Sequence, residues 1–343
     1  MDAKLITVRF QLCYFQNSLV RSITMKNLIT YSFLAFLLIL FSSCEDWFET
    51  TADLDVPIPE SKIVVNSILN DDRPFIATIS HSIPVLDERY IYNGETRITN
   101  ATVEVFEGEE FLTALEFYEV LNVANAYYGD NLYAAPDFSP EIGKEYTIKV
   151  SAPGYESVQA VGLIPNPVEI DDIELTDIDY LSLAGEGDYS EYTLSFTDEP
   201  SVENYYYIRV FECDQYDNCN SWCLFSLDAV FGASNDDPFA GSEIDCKRGI
   251  DSYFRDLTFS DLEKKLEFFV DRNLVNQINS GKNIELFLGT ISKDFYLYSR
   301  SVDFQGSNRD NPFAEPVQVY SNVENGYGFF GGASQSRIAL PGE

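Results

Sequence analysis

The sequence predicts a mainly β chain: an N-terminal immunoglobulin-like β-sandwich followed by a second β-rich domain with one or two short helices. Three observations carry that expectation. Short segments rich in Val, Ile, Tyr and Phe alternate apolar and polar residues at a period of two. Clusters of Gly, Pro, Asn and Asp separate them at short intervals. Between residues 62 and 165 no stretch carries an apolar stripe at helical spacing. The 343 residues are 45% hydrophobic and 15% aromatic, ample for packed cores despite the charge. At roughly 150 residues per domain they suit two domains.

The chain opens with an address. Residues 28–41 form a 14-residue apolar run, with Lys26 before it and Ser42-Ser43-Cys44 after it. Spanning a bilayer takes roughly 20 apolar residues, whereas a secretory core takes about 7–15 and ends at small residues. Residues 1–44 are therefore expected to be a signal peptide. Its Ser-Ser-Cys ending resembles the lipobox of bacterial lipoproteins, with Phe41 where Leu is usual. The resemblance implies that Cys44 is acylated and becomes the mature N-terminus. Two or more acyl chains, each methylene contributing about 0.8 kcal/mol, anchor a protein stably. Met25 begins a signal peptide of ordinary proportions, so translation is expected to start there and residues 1–24 to be a mis-assigned extension. Glu45 and Asp46 resemble the acidic signal that sends Bacteroidota lipoproteins to the outer face of the outer membrane.

Residues 45–61, acidic and Pro-containing with no apolar period, read as a tether. The sandwich is expected over 62–165, with about seven short strands. Lys62–Leu69 is the first, Asn70-Asp71-Asp72 a turn, and Phe75, Ala77, Ile79, His81 and Ile83 line one face of the next. Thr102–Glu107 and Phe111–Tyr118 make a hairpin around Gly108-Glu109-Glu110. Glu145–Ser151 and Tyr155–Ile164 flank the turn at Pro153-Gly154. Pro165-Asn166-Pro167 ends the domain.

The second domain is expected over 168–343. Tyr192–Thr197 and Tyr205–Cys213 read as strands, followed by a polar, cysteine-containing insertion at 213–252. Ser260–Gln277 fits helix and strand equally, Ile284–Thr290 reads as a strand, and Ser292 is placed to cap a short helix within Ile291–Gln305. Pro316–Tyr320 and Gly326–Leu340 read as Gly-rich strand and turn.

Three ordered motifs carry a resemblance. Phe196-Thr197-Asp198-Glu199-Pro200 with Asn204-Tyr205-Tyr206-Tyr207 comes first, then Ile291-Ser292-Lys293-Asp294-Phe295-Tyr296. The third runs from Asn311-Pro312-Phe313 through Val319-Tyr320-Ser321-Asn322-Val323-Glu324-Asn325-Gly326-Tyr327-Gly328-Phe329-Phe330-Gly331. Together they are similar to Bacteroidota outer-membrane lipoproteins of the family known as domain of unknown function 4249, over about Lys62–Leu340. The resemblance implies an outer-membrane location facing the cell exterior and a TonB-dependent receptor as partner. It brings no catalytic residue.

Charge narrows the remaining classes. With 22 Lys plus Arg against 56 Asp plus Glu the net charge is −34. Removing residues 1–44 takes away four basic residues and Asp2, leaving 18 basic and 55 acidic residues and a net −37. Nucleic acid, which is bound by clustered Lys and Arg, is excluded as a partner. The single His thins out acid–base and metal chemistry, and His81, on an apolar strand face, reads as a packing residue. No metal site or cofactor is expected; the pairs Asp171-Asp172, Asp177-x-Asp179 and Asp236-Asp237 fit no calcium loop and read as solvated surface.

Cys213, Cys219, Cys223 and Cys246 are disulfide candidates in an exported chain, with three connectivities open. Tyr90, Tyr92, Tyr127 and Tyr128 lie in loop-like segments of the first domain and are the binding candidates, since Tyr offers contact area with a polar tip. The expected function is a non-catalytic binding or accessory subunit of a TonB-dependent receptor for nutrient capture, its ligand unspecified. The alternative is a cell-surface hydrolase using paired carboxylates, or an adhesin.

Overall fold

The computed structural model describes residues 60–83, 96–123, 126–181, 188–198, 202–213, 219–222, 224–226, 228–232, 252–256, 263–308 and 318–343. The chain divides into Met1–Pro57, none of which is described, and a compact unit, Ile58–Glu343. Among the described residues no helix is long and apolar enough to cross a membrane.

The first half is built from local pairings. β1 (Ile63–Leu69) and β2 (Phe75–His81) form a hairpin across the Asn70–Asp72 turn. Their two-residue period sends Ile63, Val65, Leu69, Phe75, Ala77 and Ile79 into one core. β3 (Thr102–Glu107) turns at Gly108 into β4 (Glu110–Val123), which runs five residues past the expected strand, and β5 (Ala126–Ala135) returns beside it. β6 (Glu145–Ser151) and β7 (Val158–Leu163) close the series. Phe75 packs edge-on against Tyr146 at 6.2 Å and beside Phe330 at 5.9 Å.

The second half pairs strands that lie far apart in sequence. β8 (Ile170–Leu181) and β9 (Asp188–Thr197) join β14 (Glu263–Asp271) and β12 (Leu224–Phe225) in a four-stranded sheet, in the order β12-β14-β9-β8. β8 is an edge strand with three register shifts. Its Asp171, Asp172 and Glu174 suit an edge, where charge discourages further pairing, and that acidity hides the strand from a pattern reading. β10 (Tyr205–Cys213) pairs with β11 (Cys219–Trp222), β13 (Ser252–Arg255) and β15 (Ile284–Ile291).

Three helices complete this half among the described residues: a single turn α1 (Ala229–Gly232), α2 (Arg272–Asn279) and α3 (Lys293–Asn308). The ambiguous stretch 260–277 contains both structures. Leu266, Phe268 and Val270 alternate into the core as β14; then the Asp271 carboxylate accepts the Asn273 N–H and caps α2, which buries Leu274 and Val275.

β16 (Tyr327–Ala339) ties the halves together. It runs parallel to β1 and antiparallel to β15, so one large sheet continues in the order β11-β10-β15-β16-β1-β2-β5-β4-β3-β6-β7, with β13 also on β10. Three apolar cores meet along this strand. Phe330 belongs to the core of the first half, and Ile338 packs on the second core, formed by Tyr192, Leu194, Phe196, Ile208 and Leu286 among others. Phe329 and Ala333 belong to a third, aromatic core beneath α3.

Two glycines make this traffic possible. Gly328 has φ 104, and a Cβ there would sit 2.0 Å from the Val65 carbonyl oxygen. At Gly332 a Cβ would meet the Leu163 carbonyl oxygen at 2.2 Å, because β7 folds back close to β16. A side chain at either position would push the strands apart.

Candidate functional site

The structure places the sequence-predicted site residues unevenly. Cys44, Glu45, Asp46, Tyr90, Tyr92, Cys223 and Cys246 lie outside the described residues. Tyr127 and Tyr128 are in β5, a strand rather than a loop, which agrees with the high strand preference of Tyr. The Tyr127 side chain is outside the description; Tyr128 is half-buried, packed against a small cluster of Leu121, Leu132 and Ala134. Cys213 and Cys219 face each other as Cα partners in the β10–β11 ladder. His81 is half-buried, its Nδ1 3.2 Å from the Ser61 hydroxyl and its ring stacked on Tyr155 at 6.0 Å.

The three sequence motifs become three joints. At the first, Asp198 is only 4% exposed at the end of β9. One of its carboxylate oxygens accepts hydrogen bonds from the Tyr206 hydroxyl and from the Asn204 side-chain amide at 3.2 Å. The Asn204 backbone N–H donates to the Asp256 carboxylate at 2.8 Å, and the Asp256 N–H returns to the Asn204 carbonyl. This mesh fastens β9, in the small sheet, to β10 and β13, in the large one. Burial first, then the neighbouring Asp198 and Glu203 charges, raises the Asp256 carboxyl above its ordinary value. Glu203 in turn is within 3.9 Å of Arg255 and of Lys293.

At the second joint Ser292 precedes α3 and ties it to β16. Its hydroxyl accepts from the Gly332 N–H at 3.2 Å and from the Phe295 N–H at 3.4 Å, while its own N–H donates to the Gly332 carbonyl at 2.9 Å. The expected Ser cap therefore also serves as a tertiary link. At the third, the Asn322 side chain accepts from the Phe330 N–H at 3.0 Å and donates to the carbonyls of Phe330 at 2.7 Å and Val161 at 3.2 Å. Gln159 and Glu324 add a backbone and a side-chain bond beside it. β7 and β16 are held together there without a strand ladder.

Beneath α3 the aromatic core gathers Tyr205, Tyr207, Tyr253, Phe295, Tyr296 and Phe329. The Arg209 guanidinium lies 4.8 Å from the Tyr207 ring centroid and donates to the Tyr253 hydroxyl at 3.3 Å. Phenol after phenol is pushed upward: Tyr192 to about 12 by burial, and Tyr205, Tyr206 and Tyr320 by burial together with the carboxylates of Glu203, Asp198 and Asp294. Three of these hydroxyls donate hydrogen bonds, Tyr192 to the Pro341 carbonyl and Tyr206 and Tyr320 to the carboxylates of Asp198 and Asp294. Among the described residues no group of three or more His, Cys, Asp or Glu could hold a metal ion.

An outward-facing aromatic patch lies on the first half. Phe111, 52% exposed, meets Phe106 edge-on at 5.7 Å, and the Lys149 ammonium sits 4.2 Å from the Phe106 ring. Sequence reasoning passed over this pair because each Phe reads singly as an ordinary strand residue; the turn at Gly108 brings them together.

The family model described as Domain of unknown function (DUF4249) matches residues 49–339. No curated protein sequence matches the chain. Among solved structures the chain is similar to a DUF4785 family protein from Legionella pneumophila subsp. pneumophila str. Philadelphia 1, at 11% identity and a TM-score of 0.21. That match covers 67% of this chain and 51% of the other, so the chain spans about half the length of that structure.

Proposed function

The chain belongs to the DUF4249 family, and from that premise we propose that it is a lipid-anchored, surface-exposed outer-membrane protein acting as a non-catalytic binding or accessory subunit of a TonB-dependent receptor. One observation supports a framework role above the others: the family-like motifs are spent on joints. Asp198, Asn204 and Tyr206, then Ser292, then Asn322 and Gly328 all hold strands and a helix in place. A scaffold so fastened presents surfaces rigidly, and rigid presentation reduces the ordering cost of binding. Anchoring rests on the apolar run and Ser42-Ser43-Cys44, and outward placement on the acidic residues that follow.

The test begins with the anchor. Cells fed an alkyne fatty acid should label the wild-type chain and leave Cys44→Ser unlabelled, and externally added protease should degrade the wild-type chain on intact cells. Purification from detergent-solubilised membranes should bring down a β-barrel receptor. Absence of fatty-acid label overturns the anchor, protection from protease overturns surface exposure, and purification without a barrel overturns the accessory role.

A further inference from the structure

We infer that Cys213 and Cys219 form a disulfide across the β10–β11 ladder, which selects one of the three connectivities open to the four cysteines. The register carries the inference. Cys213 and Cys219 are Cα partners at the end of an antiparallel pairing that continues through Glu212–Asn220 and Phe211–Ser221 to Val210–Trp222. Directly opposed residues in such a ladder have Cα atoms about 4.5 or 5.5 Å apart, and both spacings fall within the roughly 4.4–6.8 Å that a disulfide spans.

The two competing connectivities pair Cys223 with Cys213 or with Cys219, and the ladder opposes both. β11 carries the chain away from the two partners: at Trp222 it has advanced three residues, about 10 Å, from Cys219, and it stands level with Val210, three residues from Cys213.

In the reaction two S–H bonds break and one S–S bond forms. Two electrons and two protons pass to the disulfide of an oxidised thiol–disulfide oxidoreductase of the export compartment, which is reduced to its dithiol. The product ties the two ends of Asp214-Gln215-Tyr216-Asp217-Asn218, an acidic five-residue connection with one Tyr at its centre. The inference rests on the export part of the proposed function, since structural disulfides persist in oxidising compartments; it does not depend on the lipid or on the receptor.

The sequence offers a clean readout. Chymotrypsin cuts after Phe211, Tyr216 and Trp222, so full-length protein purified from membranes with thiols blocked and left unreduced should yield Glu212–Tyr216 joined to Asp217–Trp222. Their combined mass should be two hydrogens below the sum, and reduction should separate them. Recovery of either peptide free, or of either joined to the Cys223 or Cys246 peptide, overturns the pairing. In Cys213→Ser the new labelled thiol should map to Cys219; a thiol at Cys223 or Cys246 instead overturns it equally. If the linked pair is found on protein whose Cys44 carries no lipid, the pairing stands and the anchoring proposal falls. If Cys44 is lipidated while Cys213 and Cys219 are free thiols, the reverse holds.

Discussion

The joint that closes the first half of the fold and the joint that fastens the two sheets of the second are built from opposite materials. Asn322 holds β7 to β16 with a neutral amide that bonds only to backbone groups. Asp198 and Asp256 hold β9, β10 and β13 with carboxylates, one of them buried and bonded to a phenol. The Asn322 amide itself has nothing to titrate, although the Gln159–Glu324 bond lies beside it, whereas the carboxylate joint carries a desolvation cost together with its stronger bonds. Two solutions to one topological problem therefore leave different signatures in solution.

The sharpest way to break the comparison is to part the strand both halves share. Gly328→Val places a β-branched side chain at φ 104, against the Val65 carbonyl. A loss of about 4 kcal/mol or failure to fold is expected, read as the thermal midpoint or the yield of folded protein. A midpoint within a few degrees of wild type would show that β16 can slide. Next, Tyr206→Phe removes a donor from buried Asp198 and should cost about 2–3 kcal/mol in urea unfolding. Asn322→Ala should cost about 1–2 kcal/mol, less because water can reach part of its site, with no change in effect between pH 4 and 7.

The smallest expected effect bears most directly on the ionised joint. The folded-state carboxyl of Asp256 is raised, so the folded protein binds a proton more readily than the unfolded chain. Stability from this group is present at acid pH and is lost as pH rises from about 3.8 through the raised value. Asp256→Asn keeps an acceptor for the Asn204 N–H and removes the charge. It should raise the thermal midpoint at pH 7 relative to wild type, with the difference vanishing toward pH 3. A lower midpoint at pH 7 would mean that attraction to the neighbouring cations outweighs burial.

Much of the first half was legible because its information is local. β1, β2, β3, β6 and β7 fall where a two-residue period lies between turn residues, and Ser292 caps α3 as its position suggests. What escaped is one hairpin of the first half and the features that depend on distant partners. The segment 118–135 carries β5 and the end of β4, although Tyr127 and Tyr128 read as loop residues, because a long hairpin satisfies backbone groups that composition alone leaves unassigned. Asp198, Asn204 and Asn322 could be singled out within motifs, but nothing in a string of residues says which carbonyl or phenol each will meet.

By itself the sequence determined the apolar run near the N-terminus, the excess of acid, the β class and most strand positions, since charge, apolar run length and side-chain alternation are properties of neighbours along the chain. The tertiary structure alone decided that β16 pairs with β1, that one strand serves three cores, and that the most distinctive motifs become joints. Alternation fixes which face of a strand is buried but not which strand lies beside it; the partner is chosen by long-range burial and by the need to satisfy every backbone group at once.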